Sequence, residues 1–410
     1  MTKTNDEIEI DSLFGDLAKE DDSLATFSDN DIGETKDWVP TLIPSLDKNL
    51  VGGIPASGEI SEIFGAPSSG KSTFAGLIMH NAQKMGIIPI YFDVETTQKP
   101  SRLIELGVDP EHVLTVRPKR LKNGHIMPLY IEDIGQKMID LCAKVHDRNP
   151  SAITMFIWDS VAMTQPKMTA EADIDQQLVG QQAKALATIG RKLQVNLKEN
   201  NGFLLAFNQA RDDFSAPVAK YAQVKTIGGK GWYHLLSTQI LFKQSGKIRL
   251  NSTTKEAIGH ETRVSVPKSK IGDNATDEVT VDLIGKLGFD IERNIVSSAS
   301  KLGIIKGSNW MTYITEEGEE VKIQGKVAWT DYLKDPNNID VRSELWKKVL
   351  VSYFPECYPP LFNLRARLTV EKFPEINGLR KYYSEIQEEL PEEQQDYNYK
   401  TYMKAGLPLD

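Results

Sequence analysis

The sequence predicts an α/β fold built around a mainly parallel central sheet. Between residues 38 and 288, short apolar runs alternate with stretches of helical periodicity. Because the runs are apolar at successive positions, both faces of each strand should be buried, as in a parallel sheet covered by helices. The predicted strands are 59–64, 88–92, 153–158, 203–207 and 238–242, and the clearest helices are 70–85 and 178–199, the latter with Leu186, Ile189, Leu193 and Leu197 on one face.

The chain should contain more than one folding unit. Its 410 residues suit two or three domains. We predict an acidic N-terminal segment, a large α/β core, a smaller α+β C-terminal domain and an acidic C-terminal tail, with bounds 1–37, 38–288, 289–384 and 385–410. The boundary at 288 marks a change to smaller elements that carry three of the six tryptophans, Trp310, Trp329 and Trp346.

The N-terminal segment combines acidity with an apolar stripe. Ile10, Leu13, Phe14 and Leu17 follow the i, i+3, i+4, i+7 spacing of one helical face. An apolar helical face of this kind is stabilised only when it is buried against another surface. We therefore expect a short helix that docks either on its own core or on a neighbouring subunit.

The distribution of charge limits how this protein could contact nucleic acid. The net charge is −9, and residues 1–37 hold twelve acidic residues against three lysines, so the remainder is neutral. A globally basic surface is therefore absent, and any nucleic-acid contact must come from local basic loops. The composition is that of a globular protein, which excludes collagen-like and wholly disordered chains.

Cysteine content and hydropathy favour a soluble protein of a reducing compartment. The only two cysteines, Cys142 and Cys357, are far apart in sequence, which argues against a disulfide framework or a cysteine-built metal site. The chain has no apolar run of 18 residues, and its amino terminus lacks the layout of a signal peptide.

A nucleotide-binding motif is the strongest signal in the sequence. The pattern GxxxxGK[ST] is complete, follows an apolar strand and opens a predicted helix, which is the context that the motif requires. Its glycines let backbone N–H groups face phosphates, Lys71 reaches the β- and γ-phosphates, and Ser72 ligates Mg²⁺. The predicted nucleotide-binding residues here are Gly65, Ala66, Pro67, Ser68, Ser69, Gly70, Lys71, Ser72 and Thr73.

Two acidic positions follow neighbouring predicted strands. Asp159 ends the run 153–158 and has the form of a Walker B carboxylate that holds Mg²⁺. Asp93 and Glu95 follow the strand 88–92. Since ligands bind at the carboxyl ends of strands in open α/β sheets, all should meet in one crevice. We assign Glu95 as the general base and Asp93 as structural; the alternative is that Glu95 is an ordinary surface carboxylate.

With these motifs the chain resembles the RecA-type recombinases and, among them, the phage UvsX-like branch. The resemblance runs from about residue 38 to 334 and includes both Walker elements and Asp93-Val94-Glu95. It also includes Phe207-Asn208-Gln209, Gly228-Gly229-Lys230-Gly231, the segment 261–270 and the segment 301–307 with Trp310. The implied fold is a RecA-type P-loop core.

The resemblance implies roles for three further residues. Gln209 would be a sensor at a strand end that contacts the γ-phosphate and orders the DNA loop after it. The alternative is that its side-chain amide only forms hydrogen bonds with nearby backbone groups. Lys268 and Lys270 would reach the ATP of a neighbouring subunit, with an exposed lysine face as the alternative. Their spacing puts both on one face of an extended segment.

Two loops are expected to contact DNA. The first, 166–174, follows the Walker B strand, and the second spans 211–231. They offer cations for phosphates, glycines for close approach and apolar side chains for wedging between bases. The predicted DNA-binding residues are Lys167, Met168, Ile174, Arg211, Lys225, Ile227, Gly228, Gly229 and Lys230.

One departure from the family concerns the nucleotide base. Arg102 stands where the family commonly has a tyrosine on the adenine, and Lys99 replaces a nearby aspartate. Arginine can still lie flat on a purine, so Arg102 joins the predicted nucleotide site.

The resemblance implies a DNA-dependent ATPase that uses ATP and Mg²⁺. Such a protein polymerises on single-stranded DNA as a homo-oligomeric helical filament, pairs it with homologous duplex DNA and exchanges strands, in the cytoplasm of a bacterium or a phage-infected bacterial host. Two alternatives remain open at this stage: a hexameric helicase motor of the same fold, and a non-hydrolysing filament protein switched by nucleotide.

Overall fold

A computed structural model describes most of the chain. The described residues are 13, 16, 17, 19, 20, 34–171, 180–211, 225–249, 256–272 and 277–409, without the side chains of 170, 171, 211 and 225. Predictions about Ile10, Phe14, Ile174 and residues 212–224 of the second loop lie outside them. Two compact units are present, residues 1–35 and 36–410.

The N-terminal unit is helical at each of its described residues before residue 34. Leu13 and Leu17 are exposed in it, 56% and 41%. The predicted helix is thus present there, and its docking partner stays a prediction.

The larger unit contains sixteen strands among the described residues. They are β1 Trp38–Val39, β2 Ile54–Pro55, β3 Ile60–Gly65, β4 Ile88–Asp93, β5 Leu114–Val116, β6 Lys119–Arg120, β7 Ile126–Met127, β8 Thr154–Asp159, β9 Gly202–Arg211, β10 Lys225–Thr226, β11 Thr238–Arg249, β12 Ala257–Ser269, β13 Val279–Ile284, β14 Gly288–Phe289, β15 Trp310–Ile314 and β16 Glu320–Gln324.

Twelve α-helices accompany these strands in the described part of that unit. They are α1 Pro44–Asn49, α2 Lys71–Lys84, α3 Pro100–Glu105, α4 Ile131–Arg148, α5 Lys167–Glu171, α6 Gln181–Glu199, α7 Gly229–Leu235, α8 Ile291–Lys301, α9 Gly325–Lys334, α10 Ile339–Tyr353, α11 Leu379–Glu389 and α12 Tyr397–Lys404. Within the described ranges, none of the helices is both long and apolar enough to span a bilayer.

One large sheet organises the unit. Its strand order is β14-β13-β12-β11-β3-β9-β8-β4-β5, with β10 paired to β9. The pairs from β11 through β3, β9, β8 and β4 to β5 are parallel, and β12, β13, β14 and β10 add antiparallel pairs. All five predicted strands lie in the parallel part, so the predicted α/β architecture is confirmed.

Each face of the sheet is covered by its own apolar cluster. In β9, Phe203, Leu205 and Phe207 enter one cluster, and Leu204 and Ala206 enter the other, as the two-residue period of a strand requires. The first cluster contains residues of α2, and the second contains residues of α4 and α6. A parallel sheet buried on both sides explains why the predicted strands lacked polar alternation.

The chain beyond residue 288 packs into the same unit. Trp329, Trp346 and Tyr402 belong to the cluster that also contains Phe74 of α2. The expected α+β character is present in the β15–β16 hairpin and in the helices after it. Because the apolar core is continuous, the domain bounds at 288 and 384 stay predictions.

Two segments predicted as loops are partly helical, which corrects the sequence analysis. In the first, α5 begins after Pro166, and Glu132 Oε2 accepts the N–H of Lys167 at 3.0 Å, so its first turn is capped. In the second, Gly228 and Gly229 have φ of +124° and +67°, and α7 starts there because fully buried Trp232 anchors it. Arg211 is the last residue of β9 rather than the first of a loop.

The contact between α4 and α6 requires a glycine. A Cβ on Gly135 would lie 1.9 Å from Ile189 Cγ1. We expect Gly135→Ala to lower the free energy of unfolding by about 1–2 kcal/mol, because overpacking outweighs the gain in helix propensity. In an Ile189→Ala background the same change should cost nothing, as measured by a urea-unfolding double-mutant cycle. An equal cost in both backgrounds would contradict this packing.

Candidate functional site

The loop between β3 and α2 has the geometry of a phosphate cradle. Gly65 ends β3 with φ of +155°, and a Cβ there would lie 2.2 Å from Phe242 O, so only glycine fits. Gly70 precedes α2 with φ of +102°, and the backbone N–H groups of the first turn of α2 lack intrahelical partners. Ser69 Oγ is buried without a hydrogen-bond partner in the described structure. The predicted P-loop therefore connects a strand to a helix, and its backbone N–H groups and the Ser69 hydroxyl are available to bind phosphate.

Lys71 is folded over this loop. Its Nζ donates to Gly65 O at 2.9 Å and to Ala66 O at 2.8 Å. Burial lowers the pKa of Lys71, while the charges of Asp159 and Glu95 oppose that change. Phosphate oxygens are stronger acceptors than carbonyls, so the ammonium is available to exchange these two bonds for an anion. Ser72 follows at the exposed start of α2.

Asp159 is the buried carboxylate at the end of β8. Tyr91 Oη donates to its Oδ2 at 2.6 Å, and the residue is only 9% exposed. Burial raises the pKa of Asp159 to about 6, although the Tyr91 hydrogen bond opposes this. A carboxylate oxygen and the Ser72 hydroxyl form the hard-oxygen donor set that Mg²⁺ prefers.

Asp93 and Glu95 lie at the carboxyl end of β4 and differ in their burial and contacts. Ser160 Oγ donates to Glu95 Oε1 at 2.5 Å, and Glu95 is half-buried. Asp93 is fully buried and accepts from Thr97 N at 3.1 Å and from Arg117 Nε at 3.0 Å. The remaining open carboxylate is therefore Glu95, and the contacts of Asp93 fit its predicted structural role.

Strand register brings these groups to one edge. Gly65 of β3 is opposite Gln209 of β9, and Asp93 of β4 is opposite Asp159 of β8. All four strands are parallel neighbours, so these residues mark a common carboxyl edge.

A family comparison decides what kind of P-loop protein this is. The family model described as the RecA N-terminal domain matches residues 20–290, about two thirds of the 410-residue chain. The chain belongs to the RecA family. Its core is thus a RecA-type α/β fold, in a family of ATP-binding proteins of DNA recombination and repair.

Individual RecA proteins are similar over most of their length. Protein RecA of Francisella philomiragia is 27% identical over 82% of this chain and 86% of its own. Protein RecA of Thermus aquaticus is 29% identical over 77% and 85%, and that of Bifidobacterium breve is 28% identical over 77% and 74%. These relatives are bacterial, so the expected phage UvsX-like branch is not confirmed.

In this RecA-family chain the predicted sensor lies beside a buried carboxylate that sequence reasoning missed. Gln209 is half-buried, and its N–H donates to Asn208 Oδ1 at 2.9 Å. Asn208 Nδ2 in turn donates to Glu62 Oε1 at 2.8 Å and to Ile227 O at 2.7 Å. One amide thus connects the sensor strand, the P-loop strand and the end of the second DNA loop.

Glu62 collects donors from several elements. Trp232 Nε1 of α7 donates to Oε1 at 2.9 Å, and Gln239 Nε2 of β11 donates to Oε2 at 2.6 Å. The carboxylate is fully buried, and burial raises its pKa against these hydrogen bonds. The sequence did contain a signal for this network, because Glu62 lies within the apolar run 59–64 and a buried carboxylate needs hydrogen-bond partners.

The predicted lysine pair lies on one face, as expected, and contacts α7. Lys268 Nζ donates to Tyr233 O, and Lys270 Nζ donates to His234 O at 2.6 Å. Burial, and to a smaller extent the charge of Lys270, lowers the pKa of Lys268 to about 8, and the charge of Glu62 opposes both effects.

The lysine pair is remote from the P-loop of its own chain. Earlier in β12, Thr262 Oγ1 contacts Ser69 O at 3.4 Å. Lys268 lies six residue steps beyond Thr262 along the strand, roughly 20 Å. A lysine side chain cannot span that distance.

The described DNA-loop residues have mixed surroundings. Met168 is 57% exposed, but Lys167 Nζ lies 2.5 Å from Asp133 Oδ1. Lys225 of β10 is opposite Arg211 of β9, which holds the two ends of the second loop together. Ile227 is half-buried, Gly228 buried, and Gly229 and Lys230 exposed at the start of α7.

Arg102 borders the first turn of the P-loop helix. Its Nη2 is 3.5 Å from Thr73 Oγ1, and its Nη1 donates at 3.0 Å to both Glu105 Oε2 and Lys286 O. The guanidinium is therefore held beside α2.

Substitution of Glu62 can distinguish a purely stabilising role from a role in coupling DNA binding to ATP hydrolysis. Glu62→Gln presents an N–H group to donors, so we expect lower stability by about 1–3 kcal/mol and weaker stimulation of ATP hydrolysis by DNA. Asp47→Asn is the matched control, because Asp47 is also fully buried and accepts from Thr41 N and Tyr358 Oη.

Thermal unfolding and hydrolysis with and without DNA separate the two effects. The control should lose stability and keep the DNA stimulation of the wild type. Equal stimulation in the wild type and both variants would contradict a coupling role for Glu62.

Proposed function

We propose that this RecA-family chain is a DNA-dependent ATPase that polymerises on single-stranded DNA with ATP and Mg²⁺ and exchanges strands with homologous duplex. The observation that carries the proposal is the strand register, with Gly65 opposite Gln209 and Asp93 opposite Asp159. Phosphate cradle, acidic groups and the strand ends that lead into both candidate DNA loops therefore share one edge. The finer UvsX-like assignment rests on the order of sequence motifs alone.

The residues present fit ATP and Mg²⁺. The P-loop supplies unpaired backbone donors, the Lys71 ammonium and the buried hydroxyl of Ser69. Ser72 and Asp159 would hold Mg²⁺, which when bound neutralises charge on the phosphates. Arg102 borders the same helix and would cover the base.

Glu95 is the proposed general base. It is half-buried beside Asp159, and Ser160 Oγ fixes one carboxylate oxygen, which leaves the other for a water. An oriented carboxylate that accepts a proton from the attacking water suits hydrolysis of a phosphoanhydride.

The position of Lys268 and Lys270 supports assembly. Since they cannot reach their own P-loop, their proposed target is the nucleotide of a neighbouring subunit. A cation supplied from outside can be worth about 10³ to 10⁵ in rate. Repeated heterologous contacts that do not close form a helical filament. The hexameric helicase and the non-hydrolysing filament protein are not favoured by the comparisons.

Two substitutions separate binding from hydrolysis. Lys71→Ala should abolish ATP binding because it removes the ammonium at the phosphates, whereas Glu95→Gln should keep binding and lose at least about 100-fold in turnover. Equilibrium binding of a fluorescent ATP analogue and phosphate release with saturating single-stranded DNA measure the two. Glu111→Gln, an exposed carboxylate, is the control. Unchanged turnover in Glu95→Gln would remove Glu95 as the base.

The lowered pKa of Lys268 predicts a pH dependence. With a pKa of about 8, its ammonium is present at pH 7 and lost as the pH rises to 9. DNA-stimulated hydrolysis should therefore fall over this range. Lys268→Arg, which stays protonated, should give a flatter profile. Lys381→Arg, a substitution at an exposed position of α11, should follow the wild type. Superimposable profiles for all three proteins would contradict action by a protonated Lys268.

A further inference from the structure

A short β-hairpin stands exposed beside the candidate site. Its strands β6 and β7 pair Lys119 with Met127 and Arg120 with Ile126. The turn between them is closed by Leu121 N donating to His125 O at 2.8 Å. Every residue from 119 to 128 is exposed, including Ile126 at 62% and Met127 at 48%. An ordered ribbon with apolar side chains in solvent is an unusual surface.

The hairpin also lies in a segment whose charged side chains are all basic. Residues 113–131 contain no Asp or Glu but include Arg117, Lys119, Arg120, Lys122 and His125. Within the described ranges, the three cations Lys119, Arg120 and Lys122 have no carboxylate within ion-pair distance. Such uncompensated cations favour a polyanionic partner.

The base of the hairpin is fixed to the carboxyl edge of the sheet. On one side Arg117 donates to Asp93 Oδ2 and to Gln98 O, both at 3.0 Å. On the other side Ile131 N donates to Gln165 O at 3.0 Å, next to the first DNA loop. The hairpin therefore rises between the acidic pair Asp93–Glu95 and that loop.

We propose that this hairpin binds duplex DNA, with its two-stranded ribbon in the major groove and its cations on the phosphates. A β-ribbon fits the width of that groove. Proteins that bind single-stranded DNA commonly add aromatic side chains on which bases stack, and residues 119–128 contain no Phe, Tyr or Trp. The proposal rests on the proposed function, because strand exchange requires a place for the second DNA molecule.

The test neutralises the hairpin. The triple variant Lys119→Ser, Arg120→Ser, Lys122→Ser is compared with a control, Lys372→Ser, Lys381→Ser, Lys404→Ser, which removes three exposed lysines near the C-terminus. The probes are a labelled blunt 30-base-pair duplex and a labelled 30-nucleotide single strand, measured by anisotropy from 50 to 200 mM salt. Circular dichroism and the unfolding midpoint establish that each variant is folded.

The hairpin variant should bind duplex about tenfold more weakly at 100 mM salt and flatten the salt slope by roughly 2 to 3 units, since each lost phosphate contact removes about 0.9. Its single-strand affinity and its hydrolysis with single-stranded DNA should equal those of the control.

Three outcomes would overturn the assignment. Unchanged duplex affinity would remove the site altogether. An equal loss for both probes would make the hairpin a phosphate contact that does not distinguish duplex from single-stranded DNA. If the variant, in DNA-free solution, lost assemblies that the wild type forms in sedimentation, the hairpin would be assigned to contact with a neighbouring subunit. Wild-type hydrolysis that ignores DNA would instead defeat the proposed function, independently of the hairpin.

Discussion

The parallel register of four strands is the constraint on which the rest of this structure depends. Because β3, β9, β8 and β4 are neighbours and end together, residues distant in sequence become a single edge. Gly65 is opposite Gln209, and Asp93 is opposite Asp159. A shift of one residue in a strand would break these pairings and turn the side chains of that strand to the other face. The apolar clusters on both faces of the sheet fix that register.

The second constraint is the buried carboxylate of Glu62. It connects β3, which leads into the P-loop, to Asn208 beside the proposed sensor Gln209 and to Trp232 after the second candidate DNA loop. A fully buried charge that depends on donors from separate elements resists independent movement of those elements. Displacement of the sensor strand or of α7 would leave it unsatisfied. The proposed nucleotide and DNA sites are therefore mechanically joined. The lysine pair is joined to them too, since Lys268 and Lys270 donate to carbonyls at the end of the same helix.

Much of this could be predicted from sequence because the relevant signals are local. The P-loop pattern needs only eight consecutive residues, and the five predicted strands are apolar runs whose burial on both faces follows from their composition. Glu62 was missed because its partners come from three other elements, which only the tertiary fold assembles. The helix α5 was missed because its cap, Glu132, is remote in sequence. The hairpin at 119–127 consists of two-residue strands, too short for a periodic signal. The distance between Lys268 and the P-loop could not be predicted either, because it depends on the path of β12 in the fold.

We propose that ATP is hydrolysed between adjoining subunits under the control of DNA. The most direct measurement is the rate of phosphate release per subunit across protein concentration, with and without single-stranded DNA. We expect almost no turnover for dilute protein and a cooperative rise as subunits assemble on DNA. A constant, full rate per subunit in dilute solution without DNA would contradict it.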